Sequence, residues 1–188
     1  MLARSNLAAA YQEGGNTDRA TTLFEQVLAD RQRTLGSDHP DTLGSCNNLG
    51  SSYREAGDLG RAIPLLKRAL ADSERVLGND HPCTLIARSN LADAYQEAGN
   101  LRRATPLLEQ ALADSERILG TDHPDTLLSR NNLAAACQGA GDLRRAILLL
   151  EQALADSQRI LGNDHPTTNR VRSNLAAVLN TSPGVHGY

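Results

Sequence analysis

The sequence LGSDHPDT at residues 35–42 returns three more times along the chain with few changes. The copies read LGNDHPCT at 77–84, LGTDHPDT at 119–126 and LGNDHPTT at 161–168. Their histidines, His39, His81, His123 and His165, follow one another at intervals of 42 residues. A catalytic motif is needed once, whereas a repeated structural unit needs the connection between its helices in every copy. We call this connection, LGxDHPxT, the DHP corner. The regular period therefore predicts a repeat protein.

Each 42-residue unit predicts two helices, because apolar or small residues recur three or four positions apart in residues 40–57 and 58–78. Between them, turns such as EAGD supply a glycine to end one helix and an Asn or Asp to cap the next. A turn this short makes the two helices antiparallel neighbours. At the DHP corner the proline suits the first turn of a helix, and either the Asp or the His before it can be the cap.

The repeats divide the chain into predicted units of unequal completeness. The units are 1–36, 37–78, 79–120 and 121–162, followed by a capping helix at 163–180 and a disordered tail at 181–188. Because Met1 aligns with Leu43, we expect the array to begin in mid-unit, either as a fragment or after repeats encoded elsewhere. A lone final helix is typical of repeat arrays, whose last apolar face needs covering.

Composition excludes several classes of function. The formal net charge of −3 gives no electrostatic footprint for nucleic acid, and no apolar run is long enough to span a membrane. Three cysteines without paired spacing indicate reduced thiols in a cytoplasmic protein. No nucleophile, phosphate-loop or zinc motif is present, and the repeated Asp-His has no third ligand at matching spacing. We expect no enzyme activity, no cofactor and no metal.

The stretch NLGSSYREAGDLGRAIPLLKRAL at 48–70 resembles the tetratricopeptide repeat. The matching positions are Leu49, Gly50, Tyr53, Gly57, Ala62, Leu66 and Ala69. The longer second helix and the LGxDHPxT corner are similar to the 42-residue variety found in kinesin light chains and their bacterial relatives, and the preference for Arg over Lys is typical of a bacterial source. The resemblance implies an all-α fold, a right-handed superhelical α-solenoid of about four helix pairs plus a capping helix.

The resemblance also implies a concave groove, lined by the first helix of each pair, that binds a protein or an extended peptide. A helical wheel on 43–57 agrees, because Cys46, Leu49, Gly50 and Tyr53 form a core stripe and polar residues occupy the opposite side. The candidate binding residues are Asn6, Asn47, Asn48, Arg54, Ile86, Asn90, Asp93, Gln96, Leu128, Asn131, Asn132, Gln138 and Asn174. Among the varying positions, Arg54 and Arg88 are predicted to meet acidic side chains of a ligand.

One groove position is asparagine in every unit: Asn6, Asn48, Asn90, Asn132 and Asn174. An amide can pair with both the N–H and the C=O of an extended peptide, and the resemblance implies that groove asparagines are used in this way. Alternatively, the same asparagines tie neighbouring helices together. Four arginines, Arg4, Arg88, Arg130 and Arg172, stand where the family has a large apolar residue; we expect their charged ends to stay in water.

Three functions remain open on the sequence. The first is a non-catalytic scaffold that binds a protein or peptide. The second is the sensor portion of a larger bacterial signalling protein, as in ATPase-linked proteins with similar repeats. The third is a structural solenoid that self-associates through its open ends.

Overall fold

The computed structural model describes residues 2–181, over which the chain forms nine α-helices and no β-strand. The helices are α1 (Leu2–Glu13), α2 (Thr17–Leu35), α3 (Pro40–Glu55), α4 (Leu59–Leu77), α5 (Pro82–Glu97), α6 (Leu101–Leu119), α7 (Pro124–Gly139), α8 (Leu143–Leu161) and α9 (Pro166–Thr181). They separate into two compact units, Met1–Gly99 with α1 to α5 and Asn100–Tyr188 with α6 to α9. Helix α9 includes Thr181, the first residue of the predicted tail; the rest of that tail, 182–188, lies outside the described residues.

The turn inside each helix pair has the glycine that the sequence indicates, and Asn16, Asp58 and Asp142 cap the helix that follows, whereas the Asn100 side chain makes no capping bond. Gly57 has a φ of 76°, a left-handed conformation that glycine adopts without a steric penalty. The side chain of Asp58 then accepts a hydrogen bond from the backbone N–H of Arg61 at 3.0 Å, which caps α4. Because the turn is so short, α3 and α4 run back along each other and share one core.

The DHP corner begins at a position whose backbone conformation requires glycine. Gly78 closes α4 with φ 85° and ψ 167°, and its N–H still donates to the carbonyl of Glu74 at 3.2 Å. A side chain is strongly disfavoured in this region of backbone space. The other three corner glycines have φ values of 88–90°. The chain therefore leaves every second helix along the same path.

The corner histidine is the helix cap, which decides between the two candidates. In His39, Nδ1 accepts a hydrogen bond from the N–H of Asp41 at 3.1 Å. His81, His123 and His165 make the same bond to the residue two positions on, each at 3.2 Å. The ring satisfies one of the N–H groups that a helix start leaves without a partner.

The neighbouring corner residues hold the second helices in place. Asp38 forms an ion pair with Arg75 of α4 at 2.6 Å, and Asp122 pairs in the same way with Arg159 of α8 at 2.6 Å. These arginines lower the pKa of both carboxyls below the ordinary value. The corner threonine ties the start of the next helix to the corner glycine, because the hydroxyl of Thr84 donates to the carbonyl of Gly78 at 2.8 Å.

The core of each unit consists of small and branched side chains between consecutive helices. In the first unit α3 packs against both α2 and α4, and Leu66 is fully buried. In the second unit α7 packs against α6 and α8, around Leu127 and Leu150. Helices α3 and α7 are thus each covered on two sides, which leaves a third side of each for solvent.

Of the four arginines expected to keep their charged ends in water, Arg4 and Arg172 are exposed, but Arg88 and Arg130 are buried. Arg88 and Arg130 are only 3% and 6% exposed. The guanidinium of Arg130 donates to Glu116 at 2.9 Å and to Asp156 at 2.6 Å, and Arg88 donates to Glu74 at 3.2 Å. Carboxylates from the second helices reach these positions, so the charges are paired inside the stack.

Candidate functional site

The solvent side of α1, α3 and α5 carries most of the candidate residues of the first unit, and we call it the first open face. It comprises Asn6, Asn48, Arg54, Ile86, Asn90, Asp93 and Gln96. Asn6 and Asn48 are exposed, and Ile86 is 53% exposed. An exposed isoleucine among polar groups offers an apolar contact to a ligand.

In the second unit, the second open face is carried by α7 and α9. It comprises Leu128, Asn132, Gln138 and Asn174. Leu128 is 39% exposed, and the three polar side chains are half-buried. Leu128 occupies the same repeat position as Ile86 and as Leu2 of α1, so both units present apolar side chains on this side.

Two candidates are placed differently from the helical-wheel prediction. Asn47 and Asn131 are each 7% exposed rather than open to solvent. Asn47 accepts a hydrogen bond from Asn90 Nδ2 at 3.1 Å, and Asn131 accepts one from Asn174 Nδ2 at 2.9 Å. They are buried because the next first helix packs beside them, which a wheel drawn on one helix cannot show.

These two bonds make Asn90 and Asn174 ties between successive first helices. Both bonds join residues 43 positions apart, one more than the repeat. The same spacing sets Ser5 opposite Asn48, but a serine side chain is shorter, and the Asn48 amide has no hydrogen-bond partner among residues 2–181. The repeated asparagine therefore differs among the helices. Asn90 and Asn174 are hydrogen-bonded to the preceding first helix, Asn6 and Asn48 are exposed, and Asn132 is half-buried.

A charged cluster lies between α3 and α5 on the first open face. Arg54, with 19% of its side chain exposed, forms an ion pair with Glu97, again 43 positions away. Burial raises the pKa of the half-buried Asp93 carboxyl, an effect that the nearby Arg54 charge opposes and the Glu97 charge reinforces. Asp93 itself accepts no side-chain hydrogen bond from the described residues. It is a partly desolvated carboxylate without a donor.

Glu97 is the functional candidate that the sequence prediction left out of the site. Its role depends on the pairing with Arg54. The 43-residue offset is the signal that identifies it, because the same offset links Asn47 with Asn90. The offset links three pairs in all, Asn47 with Asn90, Arg54 with Glu97 and Asn131 with Asn174.

The open faces offer hydrogen bonds, one carboxylate and apolar contacts. The two buried thiols are poor nucleophiles, because burial raises the pKa of Cys46 to about 11 and also raises that of Cys137. Among residues 2–181, no three His, Cys, Asp or Glu side chains lie close enough to hold a metal ion. Nor does any helix in that stretch combine the length and apolar character needed to cross a membrane.

Stacked antiparallel helix pairs with polar open faces define the class of helical-repeat scaffold proteins. Residues 1–72, 45–116 and 98–158 each match the tetratricopeptide repeat family. The chain belongs to the tetratricopeptide repeat family, whose repeats generally mediate protein–protein interactions and are generally non-catalytic. No curated protein matches it.

Solved structures with the same fold support this assignment. A Podosopora anserina protein named as a kinesin light chain, with nearly identical TPR-like repeats, is 35% identical with a TM-score of 0.88, over 95% of this chain and 84% of that chain. A variant of the same protein with one substitution is 34% identical, with the same TM-score and coverage. BtubC (BKLC) from P. vanneervenii is 25% identical with a TM-score of 0.80, over 94% of this chain and 70% of that chain. The all-α solenoid class is confirmed, as is the kinesin-light-chain-like resemblance.

Proposed function

We propose that this chain is a non-catalytic cytoplasmic scaffold that binds an extended peptide segment of a partner protein on its open faces. The observation that carries the proposal is the exposed asparagine amide at Asn6 and Asn48, neither of which makes a hydrogen bond to the described residues. An amide can donate to a peptide carbonyl and accept from a peptide N–H at once. Such bonds supply affinity without depending on the peptide sequence.

The neighbouring side chains select among peptides. Ile86 presents an apolar contact, and Asp93 presents a carboxylate without a hydrogen-bond donor. The Arg54 charge is already matched by Glu97. With Arg54 paired, the first open face favours a peptide that brings a Lys, an Arg or a backbone N–H to Asp93. The prediction that Arg54 and Arg88 meet acidic side chains of a ligand loses its support, because both arginines already have acidic partners.

A cytoplasmic location agrees with the cysteines. Cys46, Cys83 and Cys137 are all free, and Cys46 and Cys137 are buried. Reduced thiols of this kind are typical of proteins in a reducing compartment.

A peptide-display selection followed by calorimetry tests the proposal. Peptides selected on the wild-type chain are titrated into Asn48→Ala and into Asn79→Ala, an exposed asparagine in the corner between α4 and α5 and outside both open faces. We expect Asn48→Ala to weaken binding roughly tenfold, because two backbone hydrogen bonds are lost at about 0.5–1.5 kcal/mol each. Asn79→Ala should bind as the wild type does. Unchanged affinity in Asn48→Ala, or no selectable peptide, would count against the open faces as the binding site.

A further inference from the structure

The solvent side of α5 carries an apolar side chain and a carboxylate at a fixed separation. Ile86 is 53% exposed and Asp93 is half-buried, and they lie seven residues apart on the helix. Seven residues are close to two full turns, so both side chains lie on the same side of α5, about 10 Å apart along its axis. The first open face therefore offers two different contacts in one line.

Asp93 stands at a repeat position that has no other carboxylate. The five first helices have Ala9, Ser51, Asp93, Ala135 and Ala177 there. Leu128 of the second open face keeps the apolar contact of Ile86, but that face has Ala135 in place of the carboxylate. Both open faces thus offer an apolar contact, and only the first adds a charge beside it.

The negative charge around Asp93 exceeds the positive charge. Arg54 is paired with Glu97, and no side chain among residues 2–181 donates a hydrogen bond to Asp93. Glu55, the last residue of α3, is exposed and adjoins Arg54 in sequence. One positive and three negative side chains leave this group with a net charge of −2. The last carbonyl groups of α3 and α5 add partial negative charge at the same end.

A cationic side chain complements this group better than a backbone N–H does. A backbone N–H supplies a hydrogen bond without a charge, whereas Lys or Arg supplies both, and hydrogen bonds between charged partners are the stronger kind. Burial already raises the pKa of the Asp93 carboxyl, so its ionised form is penalised in the chain without a ligand. A cation beside Asp93 offsets part of that penalty, whereas an acidic side chain is repelled.

The separation along α5 sets the spacing between the two contacts in a ligand. An extended peptide in the polyproline II conformation has three residues per turn and rises about 3.1 Å per residue. Residues three positions apart therefore face the same side, about 9 Å from each other. This distance matches the separation of about 10 Å between Ile86 and Asp93 along the helix axis.

We infer that the first open face selects an extended segment of the partner in which an apolar residue and a Lys or Arg lie three positions apart. The apolar residue contacts Ile86 and the cation binds Asp93. This inference rests on the proposed function, that the open faces bind an extended peptide, and adds the side chains that select it. Residues 182–188 of the chain itself, SPGVHGY, contain no Lys or Arg and do not supply such a segment.

A random-peptide display selection, run in parallel on the wild-type chain and on Asp93→Asn, tests the charge. Asparagine keeps the shape of the side chain, and the fold tolerates the change because Asp93 accepts no side-chain hydrogen bond from the described residues. We expect the wild type to enrich Lys or Arg three positions from Leu, Ile, Val or Met, and Asp93→Asn to enrich the apolar residue alone. Glu151→Gln, at an exposed glutamate of α8 outside both open faces, removes the same charge and should select as the wild type does.

Calorimetry on the tightest wild-type peptide tests the pairing. Replacing its basic residue by Gln should weaken binding about tenfold, because a charged hydrogen bond is lost. Asp93→Asn should weaken the original peptide by the same factor and bind the Gln-substituted peptide as the wild type does. Moving the basic residue one position closer to the apolar residue should cost as much as replacing it, because the two side chains then no longer face the same side.

The apolar contact has its own matched pair of variants. Ile86→Ser should weaken the peptide about fivefold, because roughly half of the isoleucine surface is available for burial by a ligand. Leu148→Ser, at a leucine that is 55% exposed on α8, should leave binding unchanged.

Three results would overturn the inference: selected peptides without an enriched basic residue, a Gln replacement that costs the wild type and Asp93→Asn equally, or an Ile86→Ser variant that binds as tightly as the wild type. Peptides that lose affinity in Asn48→Ala but have no basic preference would refute this inference and leave the proposed function standing. If no peptide is selected at all, the proposed function fails and this inference fails with it.

Discussion

Replacing Asn90 by alanine should destabilise the first unit although the side chain is polar and half-exposed. Asn90 Nδ2 donates to Asn47 Oδ1 at 3.1 Å, and Asn47 is 7% exposed. Removing the donor leaves the buried acceptor without a partner, which costs about 1–3 kcal/mol. The same substitution at Asn48, whose side chain is exposed, should change the free energy of unfolding by less than about 0.5 kcal/mol.

Urea unfolding followed by circular dichroism measures both changes, and a double-mutant cycle isolates the bond. Asn47→Ala combined with Asn90→Ala should cost less than the sum of the two single substitutions by about 1 kcal/mol, because the second removes a group that the first left unsatisfied. Equal costs at Asn48 and Asn90, or a cycle that adds without coupling, would refute the division of the repeated asparagine into tied and exposed positions.

Three further predictions concern the corners and the open face. His123→Ala should lower the free energy of unfolding, measured with urea, by about 1 kcal/mol, and His123→Asn by much less, since asparagine can also cap α7. Equal losses in the two variants would exclude capping as the role of the histidine ring. Gly78→Ala should cost about 1–3 kcal/mol because of its backbone conformation, whereas Gly44→Ala, with open space at the Cβ position inside α3, should stabilise by about 0.5–1 kcal/mol; a neutral Gly78→Ala would contradict the corner geometry. Asp93→Asn should raise the melting temperature at neutral pH, because a raised carboxyl pKa means that the ionised group is penalised in the fold. That gain should fade as pH falls through the raised pKa and be gone below the ordinary value of 3.8, and a gain independent of pH would contradict this origin.

The repeat period and the helix pairs could be predicted from sequence because they rest on local chemistry. Glycine ends each helix, proline begins the next, and the apolar stripe repeats with the helical turn. The cap at the corner could not be assigned, since Asp38 and His39 both carry acceptors. The structure separates them: the ring of His39 caps α3 and the carboxylate of Asp38 binds Arg75.

The side-chain pairs between successive first helices could not be predicted, because they depend on an offset between helices rather than on either helix alone. Asn47 faces outward on its own helical wheel but is buried beside Asn90. A similar exchange is visible at Cys46, where α5 and α7 have arginine. There Arg31 reaches across from α2 instead and donates to the Asp41 carbonyl at 3.0 Å and to Ser45 at 2.6 Å. The arginine beside α3 is thus supplied by α2, whereas α5 and α7 carry their own arginines.

The DHP corner has an implication for how such a gene changes length. Its histidine caps the helix that follows it, the hydroxyls of Thr84, Thr126 and Thr168 donate to the glycine of their own corner, and Asp38 and Asp122 each bind the arginine 37 residues downstream. A cut at one corner and a join at the next therefore recreates an intact corner, whichever copies are used. Loss or duplication of 42 codons leaves the connectors unchanged, so unequal recombination can shorten or lengthen the protein without new side chains having to evolve at the seam.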